Sequence, residues 1–90
     1  MPKMTFHQEG QFKSWLGLVT KKKYALYLVL TRGQLIAEPQ TSTQPVRYGI
    51  FESSNLSTLE LEKVAEKIAV EFKIQLIIVT DYEFSGTEKV

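Results

Sequence analysis

The stretch STLELEKVAEKIAVEFKIQLIIVT, Ser57 to Thr80, decides the fold of this chain. Ser57-Thr58-Leu59-Glu60 is a capping box: the Ser57 hydroxyl accepts the Glu60 amide and the Glu60 carboxylate reaches back to the Ser57 amide. Leu61, Val64, Ala65, Ile68, Ala69 and Phe72 follow at the spacing that lines one helix face, with Glu60, Glu62, Lys63, Glu66, Lys67 and Glu71 on the other side. Six such side chains gain about 10 kcal/mol gross if fully buried, while ordering about sixteen residues costs at least as much. The helix therefore needs a sheet to lie on. Gln75-Leu76-Ile77-Ile78-Val79-Thr80 supplies one strand of it, and because this strand has no polar face it asks for cover on both sides.

Working back from that pair, Tyr24-Ala25-Leu26-Tyr27-Leu28-Val29-Leu30 is a second nearly all-apolar segment, and its length, aromatics and following Gly33 predict a strand. Gln34-Leu35-Ile36-Ala37-Glu38 ends at Pro39 and pairs back through an Arg32-Gly33 turn. Residues 39–45 contain no apolar side chain and read as an exposed loop. Val46-Arg47-Tyr48-Gly49-Ile50-Phe51 alternates as a further strand, and Ser53-Ser54-Asn55 turns into the helix. Phe12 to Thr20 fits two patterns. Phe12, Trp15, Leu16 and Val19 form a helical stripe, Trp15, Gly17 and Val19 one face of a strand, and local pairing with Tyr24 onward tips the reading toward strand. Residues 1–10 and 85–90 are polar and read as flexible ends of a single domain, 1–90. The expected class is α+β: a small mixed or antiparallel sheet, a β-meander followed by helix and strand, with one main helix packed on one face.

Residue supply excludes most chemistry. There is no cysteine, so no thiolate mechanism and no Cys-ligated metal, and the absence of bridges in a 90-residue chain fits a reducing, cytoplasmic setting. No apolar run reaches the length of a membrane span. His7 is the one histidine, so a two-histidine metal site cannot be assembled within one chain, and a Ser-His-Asp triad would have to join His7 to Asp81, the one aspartate. No glycine-rich phosphate loop and no Gly-x-Ser-x-Gly elbow occur. The element order invites comparison with the metal-dependent nuclease core that carries a PD-(D/E)xK signature, but Glu38-Pro39-Gln40 stands where Glu-x-Lys is wanted and no aspartate precedes it. Asp81 itself reads as a turn former bonding its own backbone. The expectation is no enzyme, no cofactor and no metal.

Two binding readings remain. Tyr24 to Leu30 and Leu76 to Val79 offer apolar groups on both sheet faces, and one helix covers one face, so either the N-terminal segment folds over the second face or another molecule does. The first reading is a non-catalytic interaction or assembly module, self-associating or seated in a larger complex, with Tyr27 and Val29 on that second face and Trp15 near its rim as interface anchors. The alternative is nucleic-acid binding. Residues 1–50 carry seven Lys and Arg against Glu9 and Glu38, and residues 51–90 carry four Lys against eight acids, so the chain is charge-polarised although its net charge is +1. Lys21, Lys22, Lys23, Arg32 and Arg47 beside aromatic residues suit a single strand of nucleic acid. The plainer reading of Lys21 to Lys23 is a solvated turn that keeps a sheet edge from pairing.

Overall fold

In the computed structural model, which describes residues 3–19, 23–40 and 47–84, the chain runs β1 (Lys3–Phe6), α1 (Glu9–Val19), β2 (Tyr24–Val29), β3 (Gln34–Pro39), β4 (Tyr48–Glu52), α2 (Thr58–Phe72) and β5 (Gln75–Val79). The five strands form one mixed sheet in the order β1-β4-β3-β2-β5. β1 lies parallel to β4 and β5 parallel to β2, while β3 is antiparallel to both of its neighbours. All strands but β3 thus point the same way. The class is α+β, with α2 packed on the sheet. It begins at the capping box: the Glu60 amide donates to Ser57 Oγ at 3.2 Å and the Ser57 amide to Glu60 Oε1 at 2.9 Å. It ends at Lys73, whose left-handed φ of 57° lets the Lys73 amide turn back onto the Val70 carbonyl and the Ile74 amide onto that of Ala69. The β2–β3 hairpin turns through Leu30 to Gly33. There Gly33 takes φ 60° and its amide donates to the Val29 carbonyl at 3.0 Å.

Two expectations are corrected at the N-terminus. Glu9–Val19 is a helix, not a strand: Phe12, Trp15 and Leu16 are its buried residues, and they belong to the helical stripe rather than to the alternating one. Residues 1–10, expected to be flexible, contain β1 and the first residues of α1. In β1, Met4 and Phe6 turn inward while Lys3 and Thr5 are exposed. Strand β4 starts at Tyr48 rather than Val46, which lies outside the described residues, as do 41–45 of the expected loop and the expected frayed end at 85–90.

Side-chain alternation splits the core in two. On one face of the sheet Phe12, Trp15 and Leu16 of α1 and Leu61, Ala65 and Ile68 of α2 pack over Tyr24, Leu26, Leu28, Leu35, Ala37 and Phe51. Both helices share this face, α1 over β1 and β4 and α2 over β2, β3 and β5. The N-terminal segment therefore extends the first layer and does not roof the second. On the other face a smaller cluster forms from Val29, Ile36, Tyr48, Ile50 and Tyr82, flanked by Tyr27, Val79 and Phe84.

Candidate functional site

Because β5 is followed by residues that return across the second face, that face carries its own cover. Asp81 starts the return. Its carboxylate accepts the Tyr82 amide at 2.8 Å, the Arg32 Nε at 3.2 Å and the Thr31 hydroxyl at 3.3 Å, which ties the exit of β5 to the β2–β3 turn. The Tyr82 amide, with Arg32 and Thr31 behind it, holds the Asp81 carboxyl below its usual range. The Tyr82 ring then lies 5.2 Å from Tyr27, and Phe84 lies 5.1 Å from Tyr82 and 5.0 Å from Tyr48, with Lys3 Nζ 4.5 Å above the Phe84 ring. The Tyr82 hydroxyl donates to Glu38 Oε1. Asp81 to Phe84 is thus a strap crossing from β5 over β2 and β3 to β4 and β1. Burial first, and then the Glu38 carboxylate, push the Tyr82 phenol far above its ordinary range; Tyr27 is raised by the same causes.

The three residues expected at an interface are not brought together. Val29 is fully buried in the second-face cluster and Tyr27 is half-buried there under Tyr82, whereas Trp15 is on the opposite side of the sheet, 9 % exposed among Phe6, Phe12 and Tyr24. With the strap in place, an apolar sheet edge remains without cover among the described residues. β5 is the terminal strand, uncharged along Gln-Leu-Ile-Ile-Val, without proline or bulge, and Ile78 is 49 % exposed. The Val79 carbonyl faces β2, where it accepts the Leu30 amide at 3.0 Å; alternation therefore turns the amides and carbonyls of Leu76 and Ile78 outward. Among the described residues nothing pairs with them. Natural sheets guard such an edge with lysine, proline, a bulge or a covering segment. Of the other exposed apolar side chains, Leu18, Leu59 and Val70 stand on helix surfaces and Leu30 in the β2–β3 turn.

The edge has a flank. Lys13 of α1 pairs with Glu71 at 2.9 Å, which marks the side of α2 that faces α1. Glu62, Glu66 and Ala69 recur at i, i+4 and i+7 on the opposite side, with Lys73 following at the helix end. This stripe looks out over the free side of β5. Sequence reasoning missed the edge because strand order is not written in local pattern; the lack of any charge between Gln75 and Thr80 was the available signal.

The basic residues divide. Lys21 and Lys22 lie outside the described residues. Lys23 and Arg47, both exposed, precede β2 and β4, where the Tyr24 hydroxyl donates to the Arg47 carbonyl at 3.0 Å. Lys3 sits beside Tyr48, and Lys73 lines an open cleft with Lys23, Gln40 and Gln75, so four cations are spread along this end of the sheet, Lys3 at one edge and Lys73 at the other. Arg32 is at the other end, neutralised by Asp81. A shallow cleft there is lined by His7, Arg32, Gly33, Glu52, Ser53 and Ser54. Its Glu52 accepts Gln34 Nε2 at 2.6 Å and its Ser53 hydroxyl accepts the Asn55 amide at 3.3 Å, so both serve local structure. Among the described residues no three His, Asp or Glu side chains are grouped to hold a metal ion, and no helix is long and apolar enough to cross a membrane. No family model, no curated protein and no solved structure matches this chain.

Proposed function

We propose that this protein is a non-catalytic interaction and assembly module of the cytoplasm, and that its working surface is the outer edge of β5, which accepts a strand from a partner. The observation that carries this reading is the outward row of Leu76 and Ile78 backbone groups on an uncharged strand, with Ile78 half-exposed above them. Strand addition supplies main-chain hydrogen bonds for affinity, and alternate side-chain contacts for specificity. The cytoplasmic assignment is supported by the cysteine-free composition. The reading moves the interface from the sheet face to its edge, because the strap already occupies the face. Gel filtration of host-cell extract tests it. The wild-type chain is expected in an assembly larger than its 10.3 kDa mass and the Ile78→Lys chain outside it. Migration of the wild type as a lone chain ends the reading.

A second reading is favoured by the row of Lys3, Lys23, Arg47 and Lys73 along one end of the sheet, with Lys21 and Lys22 preceding Lys23 in the chain: this end binds single-stranded nucleic acid through its phosphates. Titration with short oligonucleotides at two salt concentrations tests it. Binding should weaken steeply with salt, fall in Lys23→Gln and Arg47→Gln, and be indifferent to Arg32→Gln. Absence of binding at low salt retires it.

A further inference from the structure

We infer that the partner strand is β5 of a second copy of this chain, paired antiparallel about a two-fold axis through Ile77, so that two five-stranded sheets become one sheet of ten. The inference rests on the reading of the β5 edge as an interaction surface and names its occupant.

On the outer side of β5 the amides and carbonyls of Leu76 and Ile78 have no partner among the described residues. In an antiparallel ladder, residues that exchange hydrogen bonds must both point outward, which limits pairing to even-numbered positions of β5. A two-fold axis through Ile77 sets Leu76 opposite Ile78 of the other copy, and Ile78 opposite its Leu76, so that all four outward amides and carbonyls of each pair are bonded. An axis through Leu76 would set Ile78 against Ile74, whose amide already donates to the Ala69 carbonyl at 3.0 Å. An axis through Ile78 would set Leu76 against Thr80, whose carbonyl already accepts the Thr31 amide at 3.0 Å. Within β5, the Ile77 register alone pairs only outward groups that have no partner among the described residues. It is also self-complementary, as a two-fold interface requires.

Side chains agree with the backbone. Leu76 and Ile78 share the helix face, in register with Leu26 and Leu28, so pairing places Leu76 of one copy beside the half-exposed Ile78 of the other. Ile77 meets Ile77 on the second face, and no charge on β5 opposes the approach. On the helix layer the same axis runs the two copies of α2 antiparallel. The Lys73 end of one then lies along the Glu62 and Glu66 half of the other. That stripe carries opposite charges at its two ends, which is what a two-fold axis needs to match them. β1, the other edge strand, begins with Lys3 and is four residues long, so it lacks these properties.

Because the chain has no cysteine, single-cysteine variants of the full chain report the register directly. A non-hydrogen-bonded antiparallel pair brings opposed Cα atoms to about 4.5 Å, inside the range a disulfide spans. Ile77→Cys is expected to oxidise to a linked dimer more than about tenfold faster than Gln75→Cys, whose two copies stand about 13 Å apart in this register. By sedimentation equilibrium the wild type should be a dimer and Ile78→Lys a monomer with unchanged circular dichroism. A purified wild type that is monomeric at sub-millimolar concentration, or a Gln75→Cys chain that links as fast as Ile77→Cys, overturns the inference. If the purified chain is monomeric while the host extract still holds it in a larger assembly through Ile78, a different protein fills the edge and the assembly reading stands. If it is a lone chain in both, the two fall together.

Discussion

At Gly49 an added Cβ would stand 2.1 Å from Trp15 Cζ3 and 2.5 Å from Cη2, both part of a rigid ring that cannot swing aside. Gly49→Ala is therefore expected to destabilise the fold by about 1–3 kcal/mol in urea unfolding. Paired with Trp15→Leu, the two changes should fall short of additivity, since the second removes what the first collides with. Nothing local in Tyr48-Gly49-Ile50 announces this: the glycine is required by a tryptophan thirty-four positions earlier in the chain. Tyr82 makes a different demand. Its phenol keeps its proton to higher pH in the native state than in the unfolded chain, where it titrates near 10.0. Above that pH unfolding releases a proton, so the stabilisation present at neutral pH is lost progressively as pH rises past 10.0. Tyr82→Phe should cost about 1–2 kcal/mol at pH 7, where it removes the bond to Glu38, and the gap to wild type should narrow in alkaline unfolding experiments.

Among the elements, α2 and β5 were the most legible because their signals are local. The capping box lies within four residues and the apolar stripe repeats at a single period, so Ser57→Ala is expected to lower stability by about 1 kcal/mol in thermal or urea unfolding. β2 and β3 were equally legible, since a continuous apolar run followed by a glycine turn has few other uses. α1 was not. Phe12, Trp15 and Leu16 indicate a helix, but Trp15, Gly17 and Val19 imitate a strand, and the choice is made by the sheet beneath, which buries the first three and leaves Gly17 exposed. β1 was missed for a related reason. A four-residue strand with two inward side chains has too short a pattern to read alone, and it is ordered by Tyr48 to Phe51, far along the chain. The β5 edge was half legible: the strand could be read, but its place at the margin of the sheet could not, because strand order follows from how both crossovers pack.

For the molecule as a whole, the prediction from sequence that one helix cannot shelter both faces was physically sound, and the chain meets it with Tyr82 and Phe84 instead of an N-terminal layer. Those two side chains alternate just beyond a strand that has already ended, past the Asp81 turn, so no local pattern marks them as cover for the sheet. Replacing both by serine should uncover Tyr27, Ile36, Tyr48 and Ile50 together. The expected outcome is a loss of more than about 3 kcal/mol and strong binding of a hydrophobic dye such as ANS, with α2 retained by circular dichroism. The strap also follows, in chain order, every strand it covers. Synthesis proceeds from the N-terminus, so β1 to β4 are made before the two aromatics that close this greasy surface, and the second face stays open until those aromatics have left the ribosome. For that interval the polypeptide is a natural client for a chaperone that binds apolar β-structure.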